Sequence, residues 1–250
     1  MVGAYDAVYL APHLDDVALS CGALVYEQTQ AGQQVLIVSL MAGDPPQEAV
    51  SLHAQRLHTR WQLAANVAAA RRAEDRAACA VLGADHLHWQ LPDCIYRHNP
   101  DDGRPLYPSD AALFGTVHPA EKTLIDEIAA RLGRLPPHER LYVPLGVGGH
   151  VDHRLTRAAA EKQFDTRSLT YYEEYPYILQ PEALEKAQDG GTGWCSERLA
   201  LSAAAVVAKI EAIACYQSQL STFFADRDDL KRQIENHARV VGGVRLWQRC

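Results

Sequence analysis

His13, Asp15, Asp16, His150, Asp152 and His153 are the residues of this chain whose types and spacing best suit chemistry. The first three fall in Pro12-His13-Leu14-Asp15-Asp16 and the others in Gly149-His150-Val151-Asp152-His153. A catalytic zinc takes three protein ligands and keeps a fourth position open for water. His13, Asp16 and His153 would supply such a two-histidine, one-carboxylate set. Asp15 and His150 are then left over, and hydrolysis at a metal needs two such groups. One is a base that takes a proton from water; the other is an acid that protonates the leaving group. Neighbouring residues at a helix start point in different directions, so one aspartate can bind metal while the other reaches the water. The positive end of the helix favours carboxylates there. Each motif alone has a plainer reading, since Asp is a preferred helix N-cap. The two together, each behind a strand, weigh toward a site.

The elements around them set that geometry. Ala7–Ala11 is an apolar run that reads as a buried strand, so the residues after Pro12 fall at its carboxyl end. Leu141–Val143 reads as a second strand, followed by the glycine-rich turn Gly146–Gly149. If both strands are central, the two corners face one another across the carboxyl edge of the sheet, where open α/β sheets place their ligands. Further strands are read at Gln34–Leu40, His86–Trp89 and Ser168–Glu173. Helices are read at Asp16–Gln30 (with Gly32 past its end), 52–82, Pro119–Leu132, Asp152–Phe164, about 198–217 and 226–239. This alternation predicts an α/β fold: one Rossmann-like domain over residues 1–250, with a mostly parallel twisted sheet flanked by helices and elaborated loops at its carboxyl edge. The stretches 42–51, 90–117 and 174–195 carry no clear element.

Composition narrows the function classes. The formal charge of −7 carries no compensating basic tract, which argues against a phosphate-backbone binder and predicts no nucleic-acid partner. The longest uncharged apolar stretch, Leu199 to Ala208, is too short to span a bilayer. Met1–Asp6 has no basic region or apolar core of a signal peptide, so a cytoplasmic location is expected. The six cysteines form no CxxC pair and are expected to be reduced and mainly packed, leaving nitrogen and oxygen as the metal ligands. There is no GxGxxG loop, Walker loop or GxSxG elbow. His86 and His88 would share one strand face, where packing or solvent explains them. The run Tyr171–Tyr177 leaves a strand at the same sheet edge, so Tyr172 and Glu173 (or Glu174) are candidates for a substrate wall, by ring stacking and hydroxyl hydrogen bonds. Trp194 and the loop around Tyr96–Asp110 could complete a lid.

The paired motifs resemble the PIG-L/LmbE-like family of zinc-dependent N-acetylglucosamine deacetylases, whose pattern is (A/P)HxDD early and GHxDH in the middle. Arg71-Arg72-Ala73-Glu74 with Ala77-Ala78 and Leu82-Gly83 is similar to the family's RxxE helix. Leu91-Pro92-Asp93 is similar to its loop aspartate, and Lys209 through Gln219 to its late K…SQ helix. The Tyr171–Tyr177 run resembles a branch of the same family. The resemblance implies His13, Asp16 and His153 as ligands to one zinc ion and Asp15 as general base. It implies His150 as oxyanion stabiliser and acid, with Asp152 tuning or orienting it, and Arg71 and Asp93 holding sugar hydroxyls. The substrate implied is a small N-acetylated amino sugar or glycoconjugate. Leu14 replaces the usual Pro of the first motif, and Cys94 stands where Gly is frequent. Two other classes share these residues: a phosphoesterase-type metal hydrolase, for which Arg71, Arg72 and Arg154 offer a phosphate clamp, and a non-catalytic sugar or metal binder. A binder would need neither Asp15 nor His150. Whether the chain forms a homo-oligomer, and which N-acetyl sugar it takes, stay open.

Overall fold

A computed structural model of the chain describes residues 4–46, 50–61 and 67–250. In chain order these form β1 (Tyr5–Ala11), α1 (Asp16–Gln30), β2 (Val35–Ser39), α2 (Leu52–Arg60), α3 (Val67–Leu82), β3 (Asp85–His88), α4 (Asp110–Leu113), α5 (Lys122–Leu132), β4 (His138–Pro144), α6 (Val151–Gln163), β5 (Leu169–Tyr172), α7 (Ala183–Ala187), β6 (Trp194–Leu199), α8 (Ala203–Ala214), α9 (Gln217–Phe223), α10 (Arg227–Val241) and β7 (Val244–Arg249). The strands make one sheet in the order β3-β2-β1-β4-β5-β7-β6. The first five in that order run parallel, β7 is antiparallel to β5, and β6 is antiparallel to β7. The sheet is therefore mixed, with an antiparallel pair added to a doubly wound parallel core.

Strand alternation divides the interior into two layers. Ala7, Tyr9 and Ala11 of β1 pack with α1, α3 and α8, whereas Val8 and Leu10 pack on the opposite face with α5 and α6. β1 sits at the centre and is buried along Ala7–Ala11, so its sequence reads as a continuous apolar run. Tyr9 faces Tyr142 across the β1–β4 ladder, with stacked rings 4.1 Å apart. Gln28 of α1 satisfies both phenols, accepting from the Tyr9 hydroxyl at 2.7 Å and donating to the Tyr142 hydroxyl at 3.1 Å. That pairing offsets the cost of burying the hydroxyls in the core.

β1 and β4 are neighbours, and from this pair the sheet grows outward in both directions. Such a switch point opens a crevice at the carboxyl ends of its strands. Both motif corners lie there, one after β1 and one after β4.

Several elements differ from the sequence reading. The stretch 52–82 holds two helices, α2 capped by Trp61 and α3 beginning at Val67, with 62–66 outside the described residues. Pro119–Glu121 forms a 3-10 turn before α5 begins at Lys122. The stretch 198–217 divides among the end of β6, α8 and the start of α9. β6 and β7 were absent from the reading: β6 is an edge strand largely exposed along its length, so no buried face imprints an alternation on it. The expectation of reduced cysteines is corrected by a disulfide between Cys195 and Cys250. Antiparallel pairing of β6 with β7 brings these two to a Cα–Cα distance of 5.7 Å, within the range that a disulfide bridges. Cys21, Cys79, Cys94 and Cys215 are free thiols. Among the described residues, no helix is long and apolar enough to cross a membrane.

Candidate active site

The first corner is tightly specified. Leu40 and Met41 donate backbone N–H bonds to Ala11 and Pro12, extending the β1–β2 ladder into the turn. The His13 N–H donates to Asp16 Oδ2 at 2.7 Å, and the Tyr216 hydroxyl lies 2.8 Å from the Leu14 carbonyl. Asp15 occupies the N-cap position of α1, yet its side chain makes no capping hydrogen bond. Its Oδ1 lies 3.6 Å from Arg71 Nη2 instead. A buried carboxylate that declines the cap is free for another task, which removes the plainer reading of this motif.

The second corner is organised from β5. Glu174, fully buried just past that strand, accepts N–H bonds from Gly146 at 2.6 Å and Val147 at 3.1 Å, and its Oε1 lies 3.2 Å from His153 Nδ1. Gly148 has a φ of +80°, and a Cβ there would stand 2.6 Å from the Tyr177 side chain. Only glycine meets both demands. His150 is the N-cap of α6, with its Nδ1 accepting the Asp152 N–H at 3.3 Å. The neutral imidazole therefore carries its proton on Nε2, as assigned from this bond.

The corners converge. Nitrogens of His13, His150 and His153 all lie within 4.8 Å of one another. Asp16 joins them, with Oδ2 3.3 Å from His13 Nδ1 and Oδ1 3.3 Å from His153 Nε2. The outward nitrogen of each of these two histidines meets a carboxylate: His13 Nε2 lies 3.1 Å from Asp152 Oδ2, and His153 Nδ1 faces Glu174. A carboxylate behind an imidazole fixes its ring and tautomer and leaves the other nitrogen for a metal. The donor set His13, Asp16 and His153 thus fits a divalent ion that accepts nitrogen and oxygen ligands. Cys94, His150 and Asp152 also lie within 4.8 Å of one another, but the Asp152 oxygens already serve Arg97 and His13, and His150 Nδ1 serves a backbone amide.

The electrostatics separate the carboxylates. Burial raises the Asp15 pKa, with the Arg71 guanidinium opposing it. For Asp16 burial acts in the same direction, but His153 and His13 outweigh it and hold the carboxyl well below the usual range. A raised carboxylate beside a depressed one marks a proton acceptor beside a ligand. Burial, followed by the neighbouring His13 and His153, pushes His150 well below its ordinary value and keeps it neutral. Burial also opposes protonation of His153, yet Asp16 and Glu174 carry its pKa up to about 9.

Arg71 and Asp93 stand at this cluster, with Asp93 Oδ2 3.9 Å from His13 Nε2 and 4.0 Å from Arg71 Nη1. Tyr172 and Glu173 do not, and their reading as a substrate wall is corrected. The Tyr172 phenol is buried and donates to the Leu10 carbonyl at 2.7 Å. Glu173 turns toward β7, accepting from Arg245 Nε at 2.5 Å and Trp247 Nε1 at 2.8 Å. Of that aromatic run it is Tyr177 that reaches the site, with its ring centroid 5.7 Å from that of His153. The Asp152 carboxylate bonds to His13, Arg97 and the Cys94 N–H and lies within 4.8 Å of His150, while the hydrogen bond between these two residues runs from the Asp152 backbone N–H. Arg97 and Glu121 have no counterpart in the sequence reading, because a lone charge in an unassigned loop and one in a helix read at Pro119–Leu132 carry no spacing signal. Glu174, a candidate for the substrate wall, instead braces the glycine turn and His153. A cavity of about 530 Å³ lies beside the cluster, lined by Phe114, Gly148, Gly149, Arg154, Arg157 and Gln180 among others. Phe114 joins the two, its ring centroid 5.4 Å from that of His150.

Comparison with known proteins agrees with this geometry. The profile of the family described as PIG-L, GlcNAc-PI de-N-acetylase, matches residues 8–164, well over half the chain and both corners. The chain is 28% identical to the 2'-N-acetylparomamine deacetylase of Niallia circulans over 260 residues, covering 96% of this chain and 89% of that protein. It is 30% identical over 164 residues to the 1D-myo-inositol 2-acetamido-2-deoxy-alpha-D-glucopyranoside deacetylase of Mycolicibacterium gilvum, covering 62% of this chain and 54% of that one. The crystal structure of the zinc-inhibited form of teicoplanin deacetylase Orf2 superposes with a TM-score of 0.83 at 28% identity, covering 96% of both chains. With the paired motifs meeting at one sheet edge and the profile spanning them, the chain belongs to the PIG-L family of de-N-acetylases and is an enzyme of the hydrolase class.

Proposed function

We propose that this enzyme hydrolyses the N-acetyl group of an N-acetylglucosamine-type sugar in a zinc-dependent reaction, with one ion held by His13, Asp16 and His153. The observation that carries the reading is the pairing, beside those ligands, of a buried carboxylate with raised pKa (Asp15) and a neutral imidazole whose proton is on Nε2 (His150). When bound, zinc supplies Lewis acidity toward the acetyl carbonyl and acidifies water. Asp15 accepts a proton from the attacking water as the new C–O bond forms. His150 donates its Nε2–H to the carbonyl oxygen as negative charge develops there. The C–N bond then breaks as the proton taken up by Asp15 passes to the departing nitrogen, and acetate and a free amine leave. Arg71 and Asp93 hold sugar hydroxyls. The cavity beyond Phe114 accommodates the remainder of a larger substrate. The relatives' named substrates, an N-acetylated paromamine and a 2-acetamido-2-deoxy-glucopyranoside of inositol, support an acetylated amino sugar as the class.

Asp15→Asn tests the assignment. It keeps the shape but cannot accept the proton, so turnover should fall by about 10²–10⁴-fold while zinc content stays at the wild-type level. Loss of zinc in this variant would show that Asp15 is a ligand and the roles are misassigned.

A further inference from the structure

Behind His13 runs a buried chain of charges that takes no direct part in the proposed proton transfers. Asp152 is wholly buried; its Oδ2 lies 3.1 Å from His13 Nε2 and accepts the Cys94 N–H at 3.1 Å. Its Oδ1 accepts from Arg97 Nη2 at 2.5 Å. Arg97 follows the 3-10 turn Cys94–Tyr96 and is 7% exposed, so nearly all its partners are protein. Its Nε pairs with Glu121, and its Nη1 donates to the Pro92 carbonyl at 3.2 Å. Glu121 is fixed in turn by the Tyr107 hydroxyl, which donates to it at 2.5 Å and accepts the His118 N–H at 2.8 Å. The guanidinium thus bridges two buried carboxylates in a fork geometry that a single ammonium cannot reproduce.

A buried carboxylate without a partner moves, protonates or draws in solvent. Only Arg97 and His13 reach Asp152 with a charge-bearing side chain among the described residues. We propose that Arg97 is a positioning residue of the metal centre: by clamping Asp152 it fixes the plane of the His13 ring, so that Nδ1 stays aimed at the point shared with Asp16 and His153. This assignment rests on the proposed metal site. Arg97, in the 90–117 stretch for which the sequence offers no element, and Glu121, in the turn before α5, therefore hold a metal ligand in register from behind.

The test is zinc affinity of the stripped full-length protein, measured by competition with a chromophoric chelator, with thermal unfolding of each metal-free variant alongside. Arg97→Met should weaken zinc binding about 10–100-fold, the range for loss of such outer partners, and lower kcat with little change in KM. Arg97→Lys should recover part of the affinity, because an ammonium reaches one carboxylate but not both. Tyr107→Phe, which removes only the hydroxyl that bonds Glu121 and keeps the ring that faces Arg97, should lower the unfolding temperature and leave zinc affinity unchanged. If Arg97 acts through Asp152, Arg97→Met/Asp152→Asn binds zinc no more weakly than Asp152→Asn alone. The double variant leaves one buried carboxylate, Glu121, without its cation where Arg97→Met leaves two, and serves even if Arg97→Met does not fold. Wild-type affinity in folded Arg97→Met, or a further loss in the double variant beyond Asp152→Asn, would overturn the proposal. Failure of the wild-type protein to bind zinc would instead overturn the metal site on which it rests.

Discussion

Replacing Glu174 by Gln perturbs the second corner at its single organising group. Glu174 Oε1 accepts from Gly146 N–H and faces His153 Nδ1, while Oε2 accepts from Val147 N–H. Glutamine keeps one oxygen. Its best orientation preserves the contacts to Gly146 and His153 and turns the amide –NH₂ against the Val147 N–H. That leaves one buried backbone donor unpaired, at about 1–3 kcal/mol, and removes the charge assistance from the two remaining bonds, at roughly 1 kcal/mol each. The variant should be less stable by about 3–5 kcal/mol in urea unfolding of the metal-free protein, a loss large enough to read from the midpoint at constant slope. His153 keeps its oxygen partner, so zinc affinity should fall no more than about tenfold, whereas Glu174→Ala, which removes that partner, should cost about 10–100-fold. A Glu174→Gln protein within about 0.5 kcal/mol of wild type, as for an ordinary surface substitution, would refute this account of the glycine turn.

Two further expectations follow from groups outside the cluster. Lys209 is buried against α1, donating to the Ser20 carbonyl at 3.1 Å, and burial lowers its pKa to about 8 from an ordinary 10.5. Its folded pKa lies below the unfolded one, so the unfolded chain holds the proton more tightly between about pH 8 and 10.5. Stability therefore rises with pH across that window, and below it the buried charge costs roughly 3 kcal/mol. Lys209→Met should be about 2 kcal/mol more stable than wild type at pH 7, after loss of the Ser20 bond, with no advantage left above pH ~10.5. Urea unfolding at the two pH values decides it, and equal stability at pH 7 would contradict the sign. Cys195→Ser opens a loop whose ends are 55 residues apart, for which chain-entropy estimates give about 4 kcal/mol and measured losses run 2–5 kcal/mol. Because β6 and β7 lie at the sheet edge remote from β1, zinc affinity should be unchanged; a loss there would show that this edge supports the site.

The parts of the fold visible in the sequence are those whose burial is symmetric or strongly periodic. β1 reads as a strand because both its faces are covered, and α1 was delimited correctly by Asp16 and Gly32, the latter at a φ of +84°. β6 was invisible for the opposite reason: an exposed edge strand imposes no pattern on its residues. The cysteine reading failed with it, since the proximity of Cys195 and Cys250 exists only once β6 and β7 pair. His13, Asp15, Asp16, His150 and His153 could be read because each motif packs its residues within a few positions of a strand end. Arg97 and Glu121 back the same centre from a loop and a turn far away in the chain, as isolated charges, and Glu174 reaches it from the end of β5, where nothing in the run Tyr171–Tyr177 tells which carboxylate turns inward. Tyr172 and Glu173 stand away from the site because a strand that ends at the right edge need not point its residues outward: Tyr172 bonds back to β1 and Glu173 sideways to β7.

The central claim, a zinc site at His13, Asp16 and His153 that deacetylates an amino sugar, is tested most directly by one sample. Metal content of the purified protein is measured, and amine release from N-acetylglucosamine derivatives is followed before and after chelation. About one zinc per chain is expected, as in three-ligand catalytic sites, with amine release lost on chelation and restored by zinc. Protein without bound metal that still releases amine, or bound zinc without amine from any acetylated sugar, would contradict the claim.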